Sequence, residues 1–129
     1  VNRIVLFLVL LLLLTSCSDQ STSRQAPQPI GNPTAEKVLQ QHADADLFMV
    51  QDLVYILADP DSWVQEEELG PLEEVGKIQE MYDPAKPFVN YMATKLPAGT
   101  TIYADSSHSS FLVVLKDGKE ARYLGLVEG

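Results

Sequence analysis

The stretch Asp105-Ser106-Ser107-His108-Ser109-Ser110 sets hydroxyl groups beside an imidazole, the raw material of a nucleophile and its base. Adjacency in sequence does not make that chemistry. A Ser-His-Asp arrangement is assembled from separate segments around an oxyanion hole, and the chain contains no Gly-x-Ser-x-Gly elbow. The stretch therefore reads as a polar loop. The other histidine, His42, stands in no zinc-type spacing to His108, and with one cysteine in the chain, Cys17, the nitrogen and sulfur supply for a metal is thin. Carboxylates are plentiful in Asp59, Asp61, Glu66, Glu67 and Glu68, followed by Glu73 and Glu74. Calcium asks for about six to eight oxygens, and its best-known loop alternates ligands around a glycine. That alternation is missing here, so Asp59, Asp61, Glu66, Glu67 and Glu68 amount to a weak cation site at most. A solvated strand edge that discourages edge-to-edge pairing is the simpler reading. No catalytic set, metal-ligand set or cofactor motif emerges, and the chain does not read as an enzyme.

The aromatic residues mostly suit a core, which a small domain without disulfides needs in full. Trp63, Phe88 and Tyr91 differ in lying within or beside turn-rich segments. Exposed together, they would form a binding face, since clustered aromatic side chains anchor interfaces.

Asp and Glu outnumber Lys and Arg 18 to 9, for a net charge of −9. This excludes nucleic acid as a partner, because phosphates need basic side chains to displace their counterions. It also excludes a polybasic membrane patch. A charged partner would be cationic, a basic protein or peptide; without one, the charge keeps the domain soluble and unassociated.

Cys17 closes a different kind of pattern. Arg3 is the only charged residue ahead of the apolar run Ile4 to Leu14, which yields to Thr15-Ser16-Cys17-Ser18-Asp19. Such a run suits the apolar middle of a secretory signal and is too short for a span, which takes roughly 20 apolar residues. Leu14-Thr15-Ser16-Cys17 resembles the bacterial lipobox. The resemblance implies that residues 1–16 are a lipoprotein signal peptide, that a diacylglycerol is attached to the Cys17 sulfur, and that cleavage leaves Cys17 as the first residue. One acyl chain holds a protein only marginally at about 0.8 kcal/mol per buried methylene, and a second makes the anchoring durable. Lipidation uses up the one thiol, so the fold must stand on its core. Residues 17–33, rich in Ser, Gln, Pro and Gly, then read as a flexible tether reaching on the order of 20 Å.

One small globular domain is expected over residues 34–129. Asn32 to His42 predicts a short helix started by Pro33 or Thr34. Leu47 to Val50 and Leu53 to Ala58 also fit a helix face at positions 47, 50, 54 and 57, but their Phe, Val, Tyr and Ile content favours two strands with a turn or bulge at Gln51-Asp52. Ser62 to Gln65 reads as a continuation of the sheet, and Glu74 to Tyr82 as one strand kinked at Gly76. Asp83 to Pro87 is a turn, and Phe88 to Thr94 an irregular stretch or one helical turn. Thr101 to Ala104 predicts a strand. Asp117-Gly118 joins Phe111 to Lys116 with Lys119 to Val127 in a hairpin, because the tight turn needs positive φ that Asp tolerates and Gly adopts freely. The sum is a mainly β, small α+β fold: an antiparallel SH3-like or rolled sheet of about six short strands with one short N-terminal helix.

Lys95-Leu96-Pro97-Ala98-Gly99-Thr100-Thr101-Ile102-Tyr103-Ala104-Asp105, followed by Phe111 to Gly129, resembles the C-terminal part of small lipoproteins of Bacillus-type Firmicutes and, more loosely, the close of bacterial SH3-like modules. The first resemblance covers Ala45 to Gly129 and implies the outer face of a Gram-positive cell membrane. That family brings no activity and no catalytic residues to carry over. The expected function is a non-enzymatic binding or accessory module, with an acidic binder or inhibitor of cationic peptides as one alternative. A small hydrolase or metal-dependent activity using His108 or the acidic segment is the other.

Overall fold

The computed structural model describes residues 31–128. The expected signal peptide, Cys17 and the expected tether as far as Ile30 lie outside the described residues.

The helix α1, Ala35–Gln41, starts at Thr34, whose hydroxyl accepts the Lys37 N–H at 3.2 Å. Its buried face, Ala35 and Val38, lies on Leu47, Val54, Phe88 and Met92. Eight strands follow among the described residues: β1 Leu47–Val50, β2 Leu53–Leu57, β3 Leu72–Lys77, β4 Glu80–Met81, β5 Met92–Ala93, β6 Thr101–Asp105, β7 His108–Lys116 and β8 Lys119–Gly125. They form one sheet in the order β3-β6-β7-β8-β2-β1-β5-β4. The mainly β fold with one short N-terminal helix is as the sequence predicts.

That order dictates a curl. Flat, eight strands would set the two edges about 34 Å apart. Yet edge strands β3 and β4 are joined by Ile78 and Gln79 alone, a link of about 11 Å at full stretch. The edges must therefore approach each other at the Lys77–Glu80 end, and the sheet curls into a partly closed barrel. Its interior holds Phe48, Val50, Ile78, Ala93, Leu96, Ile102, Leu112, Val114 and Tyr123. At the seam the Tyr91 ring lies against Gly76 of β3, and Tyr91 is held beside β5 by accepting the Gln79 N–H at 2.8 Å and donating its own N–H to Met49 O at 2.7 Å.

Gly76 makes this closure possible. A Cβ there would stand 2.6 Å from Tyr91 Cε1, inside van der Waals contact. The strand also carries a bulge between Glu74 and Gly76, which bends it toward the seam. Gly76→Ala should force the Tyr91 ring aside and cost about 1–3 kcal/mol, read as a lower urea midpoint.

Two tight turns show how far local sequence reaches. Asp117 (φ 53°) and Gly118 (φ 77°) form the expected hairpin turn between β7 and β8. Gln51 (φ 50°) and Asp52 (φ 63°) take the same left-handed geometry without a glycine, at about 1–2 kcal/mol per residue. Asn90 offsets this: its Oδ1 accepts the Asp52 N–H at 2.8 Å and its Nδ2 donates to Asp52 Oδ1 at 3.2 Å.

Four expectations are corrected. Ser62 to Gln65 does not extend the sheet; Trp63–Gln65 is a 3-10 turn, because Pro60 has no N–H for a ladder and Gln65 folds its side-chain amide back onto Ala58 O and Asp59 O. Glu74 to Tyr82 is two strands on opposite edges, split where buried Ile78 donates to Thr100 O. Phe88 to Thr94 contributes β5, and β4 pairs with it in parallel, so the sheet is not wholly antiparallel. The polar loop at 105–110 shrinks to Ser106-Ser107, since β6 runs through Asp105 and β7 begins at His108.

Candidate functional site

The connection from β2 to β3, residues 58–71, crosses the outer face of the barrel as a strap. Beneath it Val64 packs with Ala58, Phe111 and Val113, and Leu69, Tyr103 and Leu124 fill in around them. Three charged side chains from three neighbouring strands hold the strap down.

Arg122 on β8 donates through Nη1 to the carbonyls of Val64 and Glu67, the latter at 2.7 Å, while its guanidinium lies 5.6 Å from the Phe111 ring centre. Glu120 accompanies it at 3.7 Å. His108, at the start of β7, stacks on the same Phe111 ring at 5.2 Å. Its Nδ1 lies 2.6 Å from Asp105 Oδ2 and its Nε2 lies 3.0 Å from Glu67 Oε2. Asp105 ends β6 with a fully buried side chain. Its other oxygen accepts the N–H groups of Gly70 at 3.0 Å and Ser107 at 2.9 Å. A Cβ at Gly70 would strike the Ser107 hydroxyl, so the strap can approach Asp105 this closely because residue 70 is glycine.

The electrostatics follow from this geometry. The Ser107 N–H first, with His108 and the Gly70 N–H, holds the Asp105 carboxyl below its ordinary value against the opposing effect of burial. The hydrogen bond to Asp105, seconded by Glu67, raises His108 above its ordinary 6.5, again against burial. Imidazolium, with an N–H on each nitrogen, is the form that satisfies both carboxylates. His108 then has no free lone pair for a serine proton. The arrangement is suited to clasping the strap, not to the nucleophile-and-base chemistry its sequence context suggests.

The clasp gives stability a pH dependence of definite sign. A raised histidine contributes fully below about 6.5, and loses its contribution as pH climbs through the folded value; a lowered carboxyl contributes above about 3.9, and loses its contribution as pH falls through the folded value. The strap should be tightest between those limits and loosen in alkali. Trp63, the only tryptophan in the chain, rides on the strap at 53% exposure. Its emission should shift on going from pH 6 to pH 9, in about the range of the histidine titration, and His108→Gln should abolish the shift. An unchanged shift in that variant would assign it to another group.

Beside the clasp the mouth of the barrel opens into a cavity of about 480 Å³. Val75 and Ala104 bound it on one side, Val50, Gln51 and Tyr55 on the other, with Leu112 between and Asp105 to Ser109 along the lip. Burial raises the Tyr55 phenol, which keeps its proton. The volume lies in the range of small-ligand pockets. No protein-family model, curated protein or solved structure matches the chain. The chemistry of the site therefore rests on these distances and charges.

The residues singled out from sequence scatter. Phe88 is buried against Tyr82, ring centres 4.9 Å apart, under α1. Tyr91 is half-buried in the seam against Gly76, and Trp63 stands alone on the strap. The three make no common aromatic face, because two are spent on packing. Asp59 and Asp61 precede the 3-10 turn, while Glu66 to Glu68 follow it; Glu67 is engaged by His108. Among the described residues no three His, Cys, Asp or Glu side chains are arranged as a metal-ligand set. His42 is exposed where α1 ends. Sequence reasoning reached His108 but missed Asp105, Glu67 and Arg122 as its company. Asp105 stands three residues away on the other side of a tight turn, a spacing that could have raised it; Glu67 and Arg122 come from distant segments.

Proposed function

We propose that this protein is a lipid-anchored extracytoplasmic module, held to the outer face of a bacterial membrane through Cys17, that binds a partner rather than transforming a substrate. The observation that carries the anchor is the run Ile4 to Leu14 ending in Leu14-Thr15-Ser16-Cys17. Two features support the rest. The described domain begins at α1, well beyond Cys17, which leaves a stretch rich in Ser, Gln and Pro to separate it from the headgroups. His108, the residue best placed by sequence for catalysis, has both nitrogens committed to carboxylates. Among the described residues no helix is long and apolar enough to cross a membrane.

Isolation of the protein from native membranes in mild non-ionic detergent, followed by mass spectrometry of what it retains at moderate salt, tests the binding role. One recurring partner, still recovered with His108→Gln even if at altered affinity, is the expected result. Substrate turnover abolished by His108→Gln would replace the module with an enzyme.

A further inference from the structure

We propose that the open edge of β3 receives an extended, cationic polypeptide segment as an added strand; this rests on the binding-module reading and supplies its partner class. β3 ends the sheet and pairs with β6 alone. From Gly76 onward its outer side is covered by the Tyr91 ring and the Gln79 to Tyr91 bond. Leu72 to Val75 have no such cover: Leu72, Glu73 and Glu74 are exposed, and among the described residues their outer edge meets no other strand. The barrel is thus zipped at one end of the seam and open at the other.

The opening is shaped for more than one backbone. The 480 Å³ cavity is lined by Val75 of β3 and Ala104 of β6 together with Val50, Gln51 and Tyr55 from the β1–β2 hairpin. A strand added beside β3 would lie about 4.8 Å away. Its alternate side chains would turn toward this cavity, whose lining mixes Val50, Val75 and Ala104 with Gln51, Asp105 and serine hydroxyls, and the rest would turn to solvent.

Charge selects the partner. Glu73 and Glu74 lie on the open stretch, Glu66, Glu67 and Glu68 precede it on the strap, and the one cation of β3, Lys77, lies beyond Gly76 on the zipped stretch. In the clasp beside the cavity, two carboxylates face one imidazolium. A second copy of this chain would bring its own glutamates against Glu73 and Glu74, and like charges opposed on paired strands repel. The same residues attract lysine or arginine, so the edge rejects itself and accepts a basic stranger.

The test uses the full chain in non-ionic detergent and two blocked octapeptides, one alternating Lys with Val and one alternating Glu with Val. The Lys peptide should bind saturably, weaken with salt, and slow amide exchange at Leu72 to Val75. Glu73→Lys with Glu74→Lys, checked for an unchanged circular dichroism spectrum, should lower its affinity by about tenfold and raise that of the Glu peptide. Failure of the Lys peptide to bind, equal binding of both peptides, protection elsewhere than β3, or indifference to the charge reversal would each overturn the proposal. If a membrane partner is still retained in those cases, the binding-module reading stands without this edge.

Discussion

Cys17→Ser, in a chain from which the apolar run Ile4 to Leu14 has been removed, should move the protein from the membrane fraction to the soluble fraction completely. The reasoning is thermodynamic. Among the described residues there is no spanning helix, and a chain of net charge −9 is repelled by anionic headgroups. Each buried methylene supplies about 0.8 kcal/mol and a diacylglycerol supplies dozens of them, so loss of the acyl chains removes the proposed attachment. Serine preserves size and polarity but offers no thiolate to carry the lipid. The domain itself should be untouched, because Cys17 lies well ahead of α1 and no disulfide partner exists in the chain. Fractionation by ultracentrifugation, with a urea curve matching that of the parent domain, reads both halves of the expectation. Carbonate-resistant membrane retention of this variant would point to an anchor other than the lipid.

Phe48→Ala should cost about 3–5 kcal/mol, the largest effect expected of a single core substitution here. Phe48 is fully buried at the centre of the barrel. Its ring lies 5.6 Å from Tyr55 in a near-parallel stack and 4.8 Å from Tyr123. In the ladder it stands opposite Tyr55 on β2 and Ala93 on β5, so its loss loosens both sides of β1. Tyr123 cannot easily swing into the gap. Its hydroxyl donates to Asp46 at 3.0 Å, and Asp46 is held in turn by Lys116 at 3.4 Å. Burial, with the Asp46 charge behind it, pushes the Tyr123 phenol far above its ordinary range, so the bond keeps its proton through alkaline pH. Domains of this size are stable by about 5–15 kcal/mol in all, so a loss of this size should lower the urea midpoint by a large fraction and leave the slope unchanged. A cost near that of an exposed substitution would mean that the barrel is not packed around this ring.

The legible and the illegible parts of the fold divide on physical lines. The Asp117-Gly118 hairpin and the Thr34 helix start are local, since a positive φ or a cap is written into adjacent residues. The Gln51-Asp52 turn is legible in position, but not the Asn90 side chain, far along the chain, that stabilises its left-handed pair. Closure of the barrel lay beyond local reading altogether. It depends on Tyr91 filling the space that Gly76 leaves, and on Ile78 and Gln79 passing from one edge of the sheet to the other. A Gly kink was visible in the sequence, but not that it separates two strands on opposite edges. The site divides in the same way. His108 drew attention among its serines, whereas the groups that decide its protonation, Asp105 and Glu67, and the Arg122 that steadies the strap are brought to it by the β6–β7 turn and by the strap itself.

The central claim is the lipid on Cys17, and intact-mass and peptide mass spectrometry of the membrane-extracted protein tests it most directly. The expected result is a chain whose first residue is Cys17, carrying a diacylglycerol on sulfur. A chain that begins elsewhere, or an unmodified Cys17 on protein recovered from the membrane, would contradict it.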